Sequence, residues 1–94
     1  MNNKHTLYLF RQVREYIATL PPDTKKKFNG ELKKLAQGGG DVHPLKKDFE
    51  GFHRLRVGQH RVIYAYALGM KIDCFYADPR ETIYQIFVPS EIVA

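Results

Sequence analysis

The sequence predicts an α+β fold in which two N-terminal helices pack on a small antiparallel β-sheet. Three observations carry this expectation. Apolar residues recur at spacings of three and four through the first third of the chain, and after Gly51 the residues fall into β-branched and aromatic runs punctuated by glycine. The chain of 94 residues, 44% hydrophobic and 13% aromatic, suffices for one modest core. Residues 1–94 are accordingly expected to form a single domain, with no repeat, low-complexity tract or linker.

Phe10, Val13, Ile17 and Leu20 draw one apolar stripe, which predicts a helix ending at Pro21-Pro22. Before it, HTLYL reads either as a short edge strand or as the start of a longer helix capped by Thr6. Asp23 is placed to cap a second helix, whose buried stripe is Phe28, Leu32, Leu35 and Ala36 and which Gly38, Gly39 and Gly40 end. Lys25, Lys26, Lys27, Lys33 and Lys34 form its outer face, read as solvated surface that also raises non-specific affinity for RNA. Gly30 inside this helix costs about 1 kcal/mol relative to alanine and is read as the mark of a close helix crossing.

Asp41 to Gly51 reads as a loop. Phe52–Val57 and Arg61–Leu68 read as a hairpin joined at Gly58-Gln59, followed by a turn at Leu68-Gly69 and a strand from Met70 to Ala77. Asp78-Pro79 breaks that strand, and Glu81–Val88 reads as the last one. The expected order is helix, helix, then a meander of about four strands, with the helices on one sheet face and the other left open.

The formal charge of +5 and pI near 9.4 point to an acidic partner, nucleic acid or protein, without choosing between them. Cys74 is the single cysteine, so a disulfide framework and a cysteine-based zinc site are excluded, and its setting in IDCFYA reads as a buried small hydrophobe. No apolar run approaches the roughly 20 residues needed to cross a bilayer, and the N-terminus lacks the apolar stretch of a signal peptide. A cytoplasmic protein without membrane contact is expected.

Five Lys/Arg side chains fall between Pro44 and Tyr66: Lys46, Lys47, Arg54, Arg56 and Arg61. With Gly58-Gln59 as a two-residue loop, Val57 faces His60, Arg56 faces Arg61, and Arg54 shares their face two residues on. A lone arginine there would be a solvated residue countered by Asp48, Glu50 or Asp73. Three guanidiniums on one patch point instead to an anion, and phosphate suits their planar fork of donors. Alternation puts His53 and His60 on the opposite face, where each reads first as a structural or surface histidine, with His60 ahead of His53 as a base; His5 and His43 are set aside as incidental.

Two helices followed by Leu45-Lys46, Gly51, Arg54-Leu55-Arg56-Val57-Gly58, Arg61-Val62-Ile63-Tyr64 and a closing Arg80 with Tyr84 resemble the RelE/ParE superfamily of bacterial type II toxins. The resemblance covers nearly the whole chain, and its central arginine block is the specific part. It implies a small α+β toxin that either cuts messenger RNA on the ribosome, as RelE-like members do, or poisons DNA gyrase, as ParE-like members do. Carried over, Arg61, Arg80 and Tyr84 take the catalytic positions, Arg54 and Arg56 hold substrate, and Lys46 and Lys47 lie at the rim. The implied partners are a cognate antitoxin, messenger RNA and the ribosome, with a homodimer of the free chain left open; no metal or other cofactor is implied. Where many members carry a histidine–arginine pair before the last strand, this chain has Asp78-Pro79-Arg80, which keeps the arginine and introduces a carboxylate able to oppose a phosphate or neutralise Arg80.

RNA cleavage through the 2′-hydroxyl needs a proton removed, charge on the phosphate stabilised and the 5′-oxygen protonated. Arginines perform the middle task and, with a pKa above about 12, are poor bases. The proton transfers fall to Tyr84, to a histidine or to the ribosome. The expectation is therefore a metal-independent endoribonuclease toxin; a gyrase inhibitor and a non-catalytic basic RNA-binding domain are the alternatives.

Overall fold

The computed structural model describes residues 4–45 and 49–79. Its elements, in chain order, are β1 (Thr6–Leu9), α1 (Arg11–Ala18), α2 (Pro22–Ala36), β2 (Asp41–Pro44), β3 (His53–Val57), β4 (His60–Ala67) and β5 (Lys71–Asp78). The five strands form one sheet in the order β1-β5-β4-β3-β2. All neighbouring pairs are antiparallel except β1 with β5, which run parallel, so the expected antiparallel sheet carries one parallel edge strand.

The N-terminal HTLYL segment is the strand of the two alternatives. Its backbone is tied at both ends, the Thr6 amide to the Met70 carbonyl at 2.8 Å and the Phe10 amide to the Cys74 carbonyl at 2.9 Å. Both helices form where the apolar stripes predicted them, burying Val13 and Ile17 from α1 and Phe28, Leu32, Leu35 and Ala36 from α2. Asp23 does not cap α2. The helix begins one residue earlier, at Pro22, because proline needs no amide partner at the first helical position and its fixed φ already suits a helix. Asp23 sits in the first turn and Lys33 and Lys34 in the last, each complementing the helix dipole.

Gly58 and Gln59 are the two-residue loop of the β3–β4 hairpin, with Val57 opposite His60 and Arg56 opposite Arg61. Gly58 takes φ +60°, the conformation that lets a two-residue turn follow the twist of the strands. The next turn is one residue longer than expected, since Met70 also adopts a left-handed backbone (φ 58°) and β5 starts at Lys71. β5 runs through Asp78 and is not broken there, and the register shift between Ile63 and Tyr64 leaves Phe75 as the extra residue of a bulge. The strand expected at Glu81–Val88 lies outside the described residues.

One unexpected strand is β2. Asp41–Pro44 was expected to be loop, yet it pairs antiparallel with β3 along its full length. Its exposed DVHP sequence has no buried alternation to announce a strand.

The sheet has two unlike faces. Leu55, Val57, Val62, Tyr64, Ile72, Cys74 and Ala77 meet both helical stripes in the main core. On the opposite face Ile63 is buried beneath Leu45, Phe49, Phe52, Phe75 and Tyr76, so that face is partly covered by a small apolar cluster and is not fully open. Among the described residues, no helix is long and apolar enough to cross a membrane.

Gly30 does not mark a helix crossing: it is exposed, and a Cβ added there meets nothing within 4 Å. Gly30→Ala is therefore expected to stabilise the protein by about 0.5–1 kcal/mol through helix propensity and a less flexible unfolded chain. Urea denaturation measures it, and a destabilised variant would mean that α2 tolerates no side chain at this point. Leu55→Ala, at a position with no exposed surface, is expected to cost about 2–5 kcal/mol in the same experiment.

Candidate functional site

Strand register assembles the site row by row. Asp41 of β2 lies opposite Arg56 of β3, Arg56 opposite Arg61 of β4, and Arg61 opposite Asp78 of β5. Directly opposed residues share a face, so this row reads carboxylate, guanidinium, guanidinium, carboxylate across four strands. Two residues along, about 7 Å away, runs a second row of His43, Arg54, Ile63 and Tyr76. Both rows lie on the sheet face away from the helices.

The arginine trio is thus on one patch, as the hairpin register implied. Its counter-charges are different from those expected. Asp41 and Asp78 flank the like-charged Arg56–Arg61 pair, whereas Asp73 stands 3.6 Å from the Lys71 ammonium. Asp78 is the one buried charged residue among the described residues, 8% exposed. The Arg56 Nε donates to the Gly58 carbonyl at 3.2 Å, which ties the exposed guanidinium back over its own hairpin. The Arg54 Nε is buried and finds no acceptor among the described residues.

The end of β5 that carries Asp78 is fixed from α1. The Gln12 amide donates to the Ala77 carbonyl at 2.8 Å and accepts from the Ala77 amide at 2.7 Å. Since β1 pairs with β5 only as far as Cys74, this side chain stands in for the missing strand partner at Ala77.

Histidine placement sorts the candidates for proton transfer. The His60 Nδ1 lies 2.6 Å from the Tyr16 hydroxyl, and its ring packs edge-on against Tyr16 and Phe28 on the helix side of the sheet. Burial, then the Asp78 carboxylate, pushes the Tyr16 hydroxyl above its ordinary pKa of 10.0. His53 stacks on Tyr64, their ring centroids 5.2 Å apart, and His5 meets Tyr66 edge-on at 5.4 Å. The histidine on the arginine face is His43, opposite Arg54, a residue that the sequence alone presents as incidental. The available signal was the Asp41/His43 alternation, which mirrors Arg54/Arg56 across the Asp41–Pro44 and His53–Val57 pairing. Lys46, Lys47, Arg80 and Tyr84 lie outside the described residues.

Cys74 is fully buried, and its thiol is pushed up to about 12 by burial and then by the Asp73 carboxylate. It cannot supply a thiolate near neutrality. Among the described residues, no group of three or more His, Cys, Asp or Glu is arranged to hold a metal ion.

Comparison with solved structures recovers the same fold. A chain of the RelE–RelB complex from the archaeon Pyrococcus horikoshii superposes with a TM-score of 0.67 at 23% identity, covering 83% of this chain and 97% of that one. A toxin–antitoxin complex from Mycobacterium tuberculosis gives 0.66 at 19% identity, with coverages of 80% and 90%. The YoeB–YefM complex from Staphylococcus aureus gives 0.63 at 21% identity, with 80% and 95% covered. No family model and no curated protein matches the chain. The structural neighbours are thus toxin–antitoxin complexes of the RelE–RelB and YoeB–YefM kinds, and the chain has their fold: two helices on a five-stranded, mostly antiparallel sheet.

Tyr16→Phe is expected to cost about 1 kcal/mol of stability by removing the hydroxyl from His60, measured by urea denaturation. An unchanged midpoint would show that the Tyr16–His60 bond contributes nothing. Because folding raises the Cys74 pKa from 9.0 to about 12, the folded state favours the protonated thiol. This contribution is complete below pH 9 and is lost as pH rises toward 12. In the native protein at pH 8, Cys74 should resist iodoacetamide and react once the chain is unfolded; rapid native labelling would contradict its burial.

Proposed function

We propose that the chain is the toxin of a type II toxin–antitoxin pair and an endoribonuclease that cleaves messenger RNA on the ribosome through the 2′-hydroxyl of its substrate. The observation that carries this reading is the convergence of Arg54, Arg56 and Arg61 on the sheet face that the helices leave uncovered. Like charges directly opposite on a sheet cost roughly 0.2–1 kcal/mol, and an anion bound between Arg56 and Arg61 reverses the sign of that term.

In this mechanism Arg61 binds the scissile phosphate and stabilises the charge that builds on it as the 2′-oxygen attacks. Preorganised guanidiniums suit that task because they lose little reorganisation energy when the charge forms. Asp78, buried and opposite Arg61 in register, is the carboxylate assigned to orient it. Arg54 and Arg56 grip the flanking backbone, Lys46 and Lys47 extend the basic rim, and Arg80 with Tyr84 completes the catalytic group. The cognate antitoxin silences the protein by covering the basic face, a role supported by the toxin–antitoxin nature of the structural neighbours.

Brief expression in bacteria without an antitoxin, with mapping of new 5′ ends in messenger RNA and a supercoiling assay on the same culture, tests the reading. New ends inside translated frames are expected. Arg61→Ala should reduce their formation by about 10²–10³-fold with the fold retained, since Arg61 projects from the sheet and is not part of the main core. Altered supercoiling with intact messages would assign the fold to gyrase inhibition instead.

A further inference from the structure

We infer that His43, oriented by Asp41, is the residue that removes the proton from the attacking 2′-hydroxyl. This rests on the ribonuclease reading and deepens it, because arginines bind and stabilise a phosphate but cannot act as its base.

The four histidines of the chain all lie among the described residues, so the choice is complete for this side chain. His60 is held by Tyr16, His53 is stacked on Tyr64 and His5 packs on Tyr66. His43 alone shares the face of the arginine trio. It stands directly opposite Arg54, on the strand that ends the sheet order, and among the described residues no further strand lies beyond it. Its side chain is 63% exposed, which leaves it accessible to an RNA strand lying on the arginines. Arg61 is two strands away, a separation of about 10 Å between strand axes, which two long side chains and a nucleotide between them can span.

Asp41 completes the arrangement. Its Oδ1 lies 3.7 Å from the His43 Nε2, an ion-pair distance once the ring is protonated. With Nε2 on the side of Asp41, Nδ1 is the nitrogen left to accept the proton. Among the described residues, Asp41 on its own strand, Arg54 opposite His43 and Arg56 opposite Asp41 are the charged groups that face this side chain across the sheet.

In the reaction, Nδ1 takes the proton of the ribose 2′-hydroxyl as the oxygen forms a bond to the adjacent phosphorus. The bond from phosphorus to the 5′-oxygen breaks, and its electron pair goes to that oxygen, which takes a proton from water. The upstream fragment ends in a 2′,3′-cyclic phosphate and the downstream fragment in a 5′-hydroxyl. The imidazolium returns its proton to solvent, so no external oxidant, metal or co-reactant enters the balance.

The test is single-turnover cleavage of messenger RNA on programmed ribosomes by the purified full chain, the Arg61→Ala variant and the His43→Gln variant, between pH 5 and 9. For the wild type a rate that rises with pH to a plateau through the histidine range is expected. His43→Gln should lose about 10²–10⁴-fold in rate and the rising limb, keep ribosome binding and thermal stability, and recover part of its rate with added imidazole. Wild-type cleavage with His43→Gln within threefold of it and the same pH limb would overturn the inference and leave the ribonuclease reading standing. No cleavage by the wild type would overturn both, and loss in Arg61→Ala with retention in His43→Gln would place the phosphate site without this base.

Discussion

The two-residue loop at Gly58-Gln59 is the constraint on which the rest of this molecule depends. It fixes Arg56 opposite Arg61, and because strand side chains alternate, every other assignment in β3 and β4 follows. A slip of one residue would turn the guanidiniums toward the helices and bring Leu55, Val57, Val62 and Tyr64 out of the core. The cost would be several buried hydrophobic side chains together with charges forced against apolar surface, far more than the few tenths of a kcal/mol that the like-charged pair costs in place. The core therefore holds the arginines in register, and they need no favourable contact with one another to stay there.

What the flanking strands add is charge pattern. In the row nearer the turn the two guanidiniums lie between Asp41 and Asp78, so the row is balanced when empty. The second row, His43, Arg54, Ile63 and Tyr76, holds a guanidinium and an imidazole with no carboxylate in register. An anion approaching this face meets its least compensated positive charge around Arg54, next to His43. The Gln12 clasp on Ala77 keeps the end of β5 in line, and with it the buried Asp78 opposite Arg61 in register.

Local patterns were enough to reveal the helices, their buried stripes and the hairpin register, because each rests on residues close in sequence whose spacing has one low-energy reading. Features set by distant contacts were not readable. Thr6–Leu9 is too short for its periodicity to separate strand from helix, and its identity is decided by parallel pairing with Lys71–Cys74. Asp41–Pro44 lacks a buried alternation and contains a proline, so the polar alternation of Asp41 and His43 is its one local hint of a strand, and the partner β3 decides it. The placement of His43 was lost with it. The bulge at Phe75 and the Gln12 clasp likewise depend on sheet register and helix docking, which no short window of sequence encodes.

A fold shared with toxin–antitoxin chains fixes the scaffold and leaves the chemistry to the residues that the scaffold exposes. Here the helix-covered face is occupied by structural duties: His60 serves Tyr16, His53 stacks on Tyr64, and the Cys74 thiol is held protonated by burial. Groups so engaged are poor candidates for chemistry, since using them would cost the contacts that keep the core assembled. The other face has the opposite character, with guanidiniums fixed by register, partial compensation by carboxylates, and an edge-strand imidazole beside them. A phosphate bound there, as proposed, would replace like-charge repulsion with paired hydrogen bonds. That separation, with the packed core on one face and register-fixed guanidiniums partly balanced by carboxylates on the other, lets a chain this small carry like charges side by side on its sheet and remain folded.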